Sequence, residues 1–139
     1  MGNAKKSSRA DKLKVFRELC RHDNDLMSCW VPLPTTVIAE CLHISLYQCR
    51  KYMRQLVTEG LAVRSSCYPH DSDEGGLPYH GFLITDKGRD TDIYRYCSLQ
   101  SARICADCFG GPMEQFLPTT FNYAWIGKEA PIREQLCEI

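Results

Sequence analysis

The residues best placed to do chemistry stand close together between Gln48 and Arg64. Gln48, Arg50, Lys51 and Arg54 recur at three- and four-residue spacing, and no acidic residue falls between Ser45 and Thr58. Such spacing puts cations on one side of a helix. The chemistry on offer is recognition of a polyanion. Glutamine can pair in bidentate fashion with adenine, lysine can donate to guanine, and arginine suits phosphate oxygens. Ser45 stands where a helix cap belongs, and the free backbone N–H groups of a helix start suit a phosphate oxygen. A further set is the C-x-x-C of Cys105 and Cys108. A structural zinc site requires four ligands, and no second pair follows; Cys97 and Cys137 would have to complete it, with nothing in their spacing to ask for it. No metal site is therefore expected, Cys105 and Cys108 being its nearest candidates, and the plainer reading makes them two core thiols. Asp90 and Asp92 are paired carboxylates beside a helix start, where capping accounts for them. No phosphate-cradling glycine loop and no nucleophile–base set is recognisable, so neither catalysis nor a cofactor is expected.

The elements that must position the cationic side chains follow from periodicity. Leu13, Phe16, Leu19 and Cys20 mark one face of a first helix, with Asp11 as its expected cap. The prolines of "CWVPLP" impose an extended segment. A second helix carries Val37, Ile38, Cys41 and Leu42 and stops at His43-Ile44. The third runs from Leu46 to about Glu59, burying Cys49, Met53 and Leu56, with Tyr52 at the margin, and Gly60 closes it. "LAVRSSCY" and "YHGFLIT" read as strands around the loop "PHDSDEGGLP". A further helix is expected from Arg89–Asp92 through Cys108, and "EAPIREQLCEI" as a last short one. Residues 1–10 are expected as a disordered basic tail.

Helix, extended segment, helix, tight turn, helix, strand, loop, strand is the order of a winged helix-turn-helix. Residues 11–96 resemble the winged core of bacterial transcription regulators, the group that includes MarR-type and PadR-type repressors. The resemblance rests on Ile38, Ala39, Glu40, Leu42, His43, Ile44 and Ser45 at the turn. It continues in Leu56, Glu59, Gly60 and Leu61 at the end of the third helix, and in "LITDKGRD" after the second strand. It implies an α+β fold, a three-helix core with a small antiparallel β wing, here followed by a helical and irregular extension over 97–139. It also implies that the third helix, about 45–59, enters the major groove of double-stranded DNA. The DNA-contacting positions would be Ser45, Tyr47, Gln48, Arg50, Lys51 and Arg54, with Leu46 also groove-facing and Arg64 on the wing. Regulators of this group often act as homodimers.

Three departures stand out. His43 occupies the turn position where the family usually has glycine. Tyr47 is bulkier than its usual counterpart. The wing loop holds Asp71, Asp73 and Glu74, which would repel phosphates and leave Arg64, with His70 or His80, as its basic contacts.

Charge follows the same division. Seventeen basic and seventeen acidic residues cancel over the 139. Residues 1–64 nevertheless carry eleven Lys/Arg against six Asp/Glu, and residues 65–139 six against eleven, so only the first half attracts a polyanion. No apolar run is long enough to span a bilayer, and the polar N-terminus has no secretion signal. Met1-Gly2 meets a myristoylation pattern only superficially, Ser7 falling one place late. Nine cysteines without a secretion signal imply a reduced, cytoplasmic protein using thiols as small apolar groups, notably Cys20, Cys41 and Cys49. The expected function is a sequence-specific DNA-binding transcriptional regulator. Two alternatives stand beside it. One is a winged-helix protein-interaction module of replication, conjugation, plasmid or phage biology that reads no DNA. The other is a metal- or thiol-responsive regulator working through Cys105 and Cys108. The aromatic and aliphatic residues of 97–139 would either form a dimer interface or wrap the monomer's own core.

Overall fold

A computed structural model describes residues 2–25, 29–67 and 79–137, with the side chains of 2–10 left aside. Helix α1 spans Gly2–Asp23, α2 Thr35–Leu42 and α3 Leu46–Thr58. Strands β1 (Ala62–Cys67) and β2 (Tyr79–Ile84) follow, then a single turn α4 (Asp86–Arg89), the long α5 (Asp92–Phe109) and a short α6 (Ala130–Gln135). Two 3-10 turns, Met113–Phe116 and Tyr123–Trp125, lie between α5 and α6. The class is α+β, helix-rich with one two-stranded antiparallel sheet. The acidic loop with His70, Asp71, Asp73 and Glu74 lies outside the described residues.

Of the α1 face read from spacing, Phe16, Leu19 and Cys20 are buried and Leu13 is only partly so, while Val15, outside that reading, is fully buried. Val15, Phe16, Leu19 and Cys20 are buried against Cys49, Tyr52, Met53 and Leu56 of α3 and Ile93, Tyr96 and Cys97 of α5. Each such side chain removed from water contributes on the order of 1.5–3 kcal/mol. Tyr52, placed at the margin from its spacing, is inside this core.

Helix α1 differs from expectation at its start. It is continuous from Gly2, so residues 2–10 are helical rather than a disordered tail, and Asp11 lies within the helix instead of capping it. No proline interrupts 2–23, and Ala4, Lys5, Lys6, Arg9 and Ala10 are good helix formers. The expected boundary at residue 96 falls inside α5, whose first half belongs to the main core.

The sheet pairs Ala62 with Ile84 through Cys67 with Tyr79. A third piece of extended chain joins its edge: Leu33 and Phe82 exchange both backbone hydrogen bonds at 2.9 Å. Gly81 makes this approach possible. A Cβ there would lie 2.5 Å from the carbonyl carbon and oxygen of Leu33. The "CWVPLP" segment thus ties the wing to the start of α2.

The C-terminal segment packs largely on its own chain. Ile132 of α6 and Leu136 just after it enter the main core, and Leu117 closes a smaller cluster with Leu99 and Ala102. Ile104, Phe109 and Tyr123 remain exposed.

Two cysteine readings are corrected. Cys41 is exposed, because α2 buries Ile38 and Ala39 while Val37 and Cys41, one turn apart, face outward. Cys105 is half-buried and Cys108 exposed, so neither is a core thiol. Helix α5 runs on past the body it packs against, and nothing in it beyond Ala102 is buried. Among the described residues no helix is long and apolar enough to cross a membrane.

Candidate nucleic-acid interface

The turn between α2 and α3 sets the site's geometry. His43 adopts the left-handed conformation, φ 55° and ψ 40°, which glycine adopts at less cost. Its N–H donates to Glu40 O and that of Ile44 to Ala39 O at 3.1 Å, which closes α2 as a Schellman motif. Ser45 then returns to extended backbone and its Oγ accepts from Gln48 N at 3.1 Å, the cap expected of it. The chain reverses in three residues and α3 starts in a fixed direction.

The inner side of α3 is apolar, and its outer row is Tyr47, Lys51, Arg54 and Thr58, flanked by Gln48 and Arg50. All six are exposed, Tyr47 at 73%. No acid occurs in the helix. Among the described residues none of Arg50, Lys51, Arg54 and Arg64 enters an ion pair. The C-terminal segment does not cover this face. Leu46 is a correction to the groove-facing set: it shares the stripe of Cys49 and Met53 and packs against the main core.

The outer face divides in two. Arg50 and Arg54 lean toward the wing, where they meet Arg64 of β1 and His80 of β2 around a cavity of about 550 Å³. Lys51 leans the other way, over a groove of about 910 Å³ between α1, α3, α5 and α6 that includes Leu13, Phe16 and Ile132. The Arg64 guanidinium lies 5.7 Å from the centre of the Phe82 ring, a cation–π contact. Sequence reasoning identified Arg50, Arg54, Arg64 and His80 but not Pro34–Thr36, which line the same cavity. Their only signal was the proline-rich segment before α2, which does not disclose its pairing with β2.

The thiols are differently placed. Cys97 is buried, donating to Arg17 O at 3.8 Å. Burial, and then the neighbouring Cys97 and Asp23, push the Cys20 thiol well up. Cys105, Cys108 and Cys137 lie outside the core. Among the described residues no group of three or more His, Cys, Asp or Glu side chains is arranged to hold a metal ion.

The fold and the turn define a winged-helix protein. Consistent with that class, a family model for FaeA-like proteins, a group of winged-helix regulators, matches residues 24–68, from the end of α1 to the end of β1. The match likens this segment to DNA-binding winged-helix regulators at the coarse level, without bearing on MarR-type or PadR-type membership. No curated protein and no solved structure matches the chain.

Proposed function

We propose that this protein is a sequence-specific, double-stranded DNA-binding transcriptional regulator that lays α3 in the major groove and acts as a homodimer without catalytic activity. One observation carries the reading: the outer face of α3 is exposed, free of acids and free of ion pairs among the described residues, while its inner face is anchored in the core. A major groove about 12 Å wide admits one such helix. Gln48 and Lys51 have the chemistry for base edges, Tyr47 an apolar ring for a thymine methyl, and Arg50 and Arg54 the forks for phosphates. The exposed Ile104 and Phe109 at the end of α5 are apolar material for pairing two copies.

The test is duplex binding over a salt series, first on a selected and then on a scrambled sequence. Gln48→Ala should lower the preference for the selected site by about 1–3 kcal/mol while leaving scrambled-sequence binding intact. Lys51→Ala should weaken both. Absence of binding by the parent at low salt sinks the proposal. Sedimentation of the parent beside Phe109→Ser tests the dimer, which the substitution should weaken.

A further inference from the structure

The cavity between α3, the wing and the start of α2 has a composition that a folded chain rarely leaves unanswered. Arg50, Arg54 and Arg64 line it together with His80, and among the described residues no carboxylate does. Three guanidiniums on one cavity repel one another, and among the described residues no anion relieves them. An anion bound there would turn each repulsion into an attraction. This arrangement is built, because three separate features hold it. Arg64 is oriented by the ring of Phe82. Arg50 and Arg54 are one turn apart on a helix whose other side is buried. The Leu33–Phe82 bridge, permitted by Gly81, carries Pro34–Thr36 to the cavity edge.

The start of α2 adds donors. Its N-cap is Pro34, in extended conformation with no side-chain cap, so nothing from the cap residue's side chain serves the N–H groups of the first turn. Ile38 N is the first to find a helical acceptor, the carbonyl of Pro34. The amides before it can donate to an oxygen at the cavity mouth. Guanidinium forks, an imidazole and amide donors around one opening match the several oxygens of a phosphate better than the two of a carboxylate.

We infer that Arg50, Arg54, Arg64 and His80 hold a single phosphate group against the first turn of α2, and that under the reading proposed above this is a backbone phosphate of bound DNA. The wing then grips at its stem.

The inference rests on DNA binding, so its test separates the two. The 139-residue protein and Arg64→Gln are titrated with scrambled duplex across a salt series, with Lys51→Ala as a companion outside the cavity. Thermal melting of parent and Arg64→Gln is also followed with inorganic pyrophosphate alone. Arg64 is exposed, and a circular dichroism spectrum matching the parent confirms that the variant folds. Arg64→Gln should reduce the slope of log K against log salt by about one and weaken binding roughly five- to tenfold near 0.1 M salt, equally on all sequences. If Arg64→Gln keeps the parent's slope while Lys51→Ala loses affinity, the DNA reading stands and the phosphate cavity is overturned. If the parent ignores DNA but pyrophosphate raises the melting temperature of the parent and not of Arg64→Gln, the cavity stands as a site for a free phosphate compound and the DNA reading falls. If neither DNA nor pyrophosphate binds, both are overturned.

Discussion

His43 holds the tightest point of the chain in a conformation that disfavours side chains. For a non-glycine residue the left-handed region costs roughly 1–2 kcal/mol, offset in part by the greater unfolded-state freedom of glycine. His43→Gly should therefore raise stability by up to about 1 kcal/mol, read as a higher denaturant midpoint with unchanged slope. Ser45→Ala should do the reverse by about 1 kcal/mol, since Gln48 N loses the Oγ that caps it. Thiol reactivity follows burial in the same way. Burial pushes the Cys49 thiol up to about 11, against a smaller opposing pull from Arg50, and burial raises the Cys20 thiol as well. Alkylation at neutral pH should label Cys41, Cys108 and Cys137 first, with Cys20 and Cys49 reacting only after denaturation, as mass spectrometry of timed samples will report.

Between elements, a few polar contacts fix the relative placement of helices. Asp23 at the end of α1 receives two hydrogen bonds from Arg89, both 3.0 Å, and one from Tyr94 OH at 2.7 Å. This joins α1 to α4 and α5. Asp23→Ala removes all three and leaves Tyr94 half-buried without its acceptor. With Arg89 largely solvated, the expected loss is about 1–2 kcal/mol in chemical denaturation. The start of α5 shows how local signals resolve. Thr91, rather than either neighbouring aspartate, is the cap, accepting from Tyr94 N at 3.2 Å. Asp90 and Asp92 both engage Arg95.

Glu129 does the corresponding work ahead of α6. Burial pushes its carboxyl up, but the hydrogen bond and charge of Arg103, with the Gly127 N–H, outweigh this and hold it below the usual glutamate range. A depressed folded-state pKa contributes stability that is present above the unfolded value of about 4.3 and is lost as pH falls through the folded one. The stability difference between parent and Glu129→Gln should thus be full at neutral pH and shrink in acid below about pH 4. Urea midpoints at stepped pH will measure it.

At the scale of the molecule, the C-terminal segment completes the core while leaving the α3 face open. Leu136 is fully buried in the cluster that holds α1 and α3. Leu136→Ala should cost about 2–5 kcal/mol of global stability, read in denaturant unfolding. If docking of α6 on this core holds the platform beneath α3, that variant should also bind DNA less tightly at temperatures near its own melting midpoint. The division of charge belongs to this scale too. The basic half supplies the outer face of α3, and the acidic half supplies Asp90, Asp92 and Glu129, which engage arginines of α5 and do not line the cavity at the wing stem.

The amino-acid sequence by itself determined the helix-turn-helix. Ser45, His43, Gly60 and the three- and four-residue apolar spacing act within one or two turns, and backbone sterics and capping decide their outcome locally. It likewise determined which side of α3 is cationic, because the inner stripe of Cys49, Met53 and Leu56 leaves only one face for Arg50, Lys51 and Arg54. Only the tertiary structure decided what that face meets. The cavity at the wing stem joins residues 34–36, 50, 54, 64 and 80–82 through one backbone bridge and one glycine. Whether Cys41, Cys105 and Cys108 lie inside depended on where neighbouring elements end. Long-range packing chooses among apolar stripes that look alike in sequence, and no periodicity carries that choice.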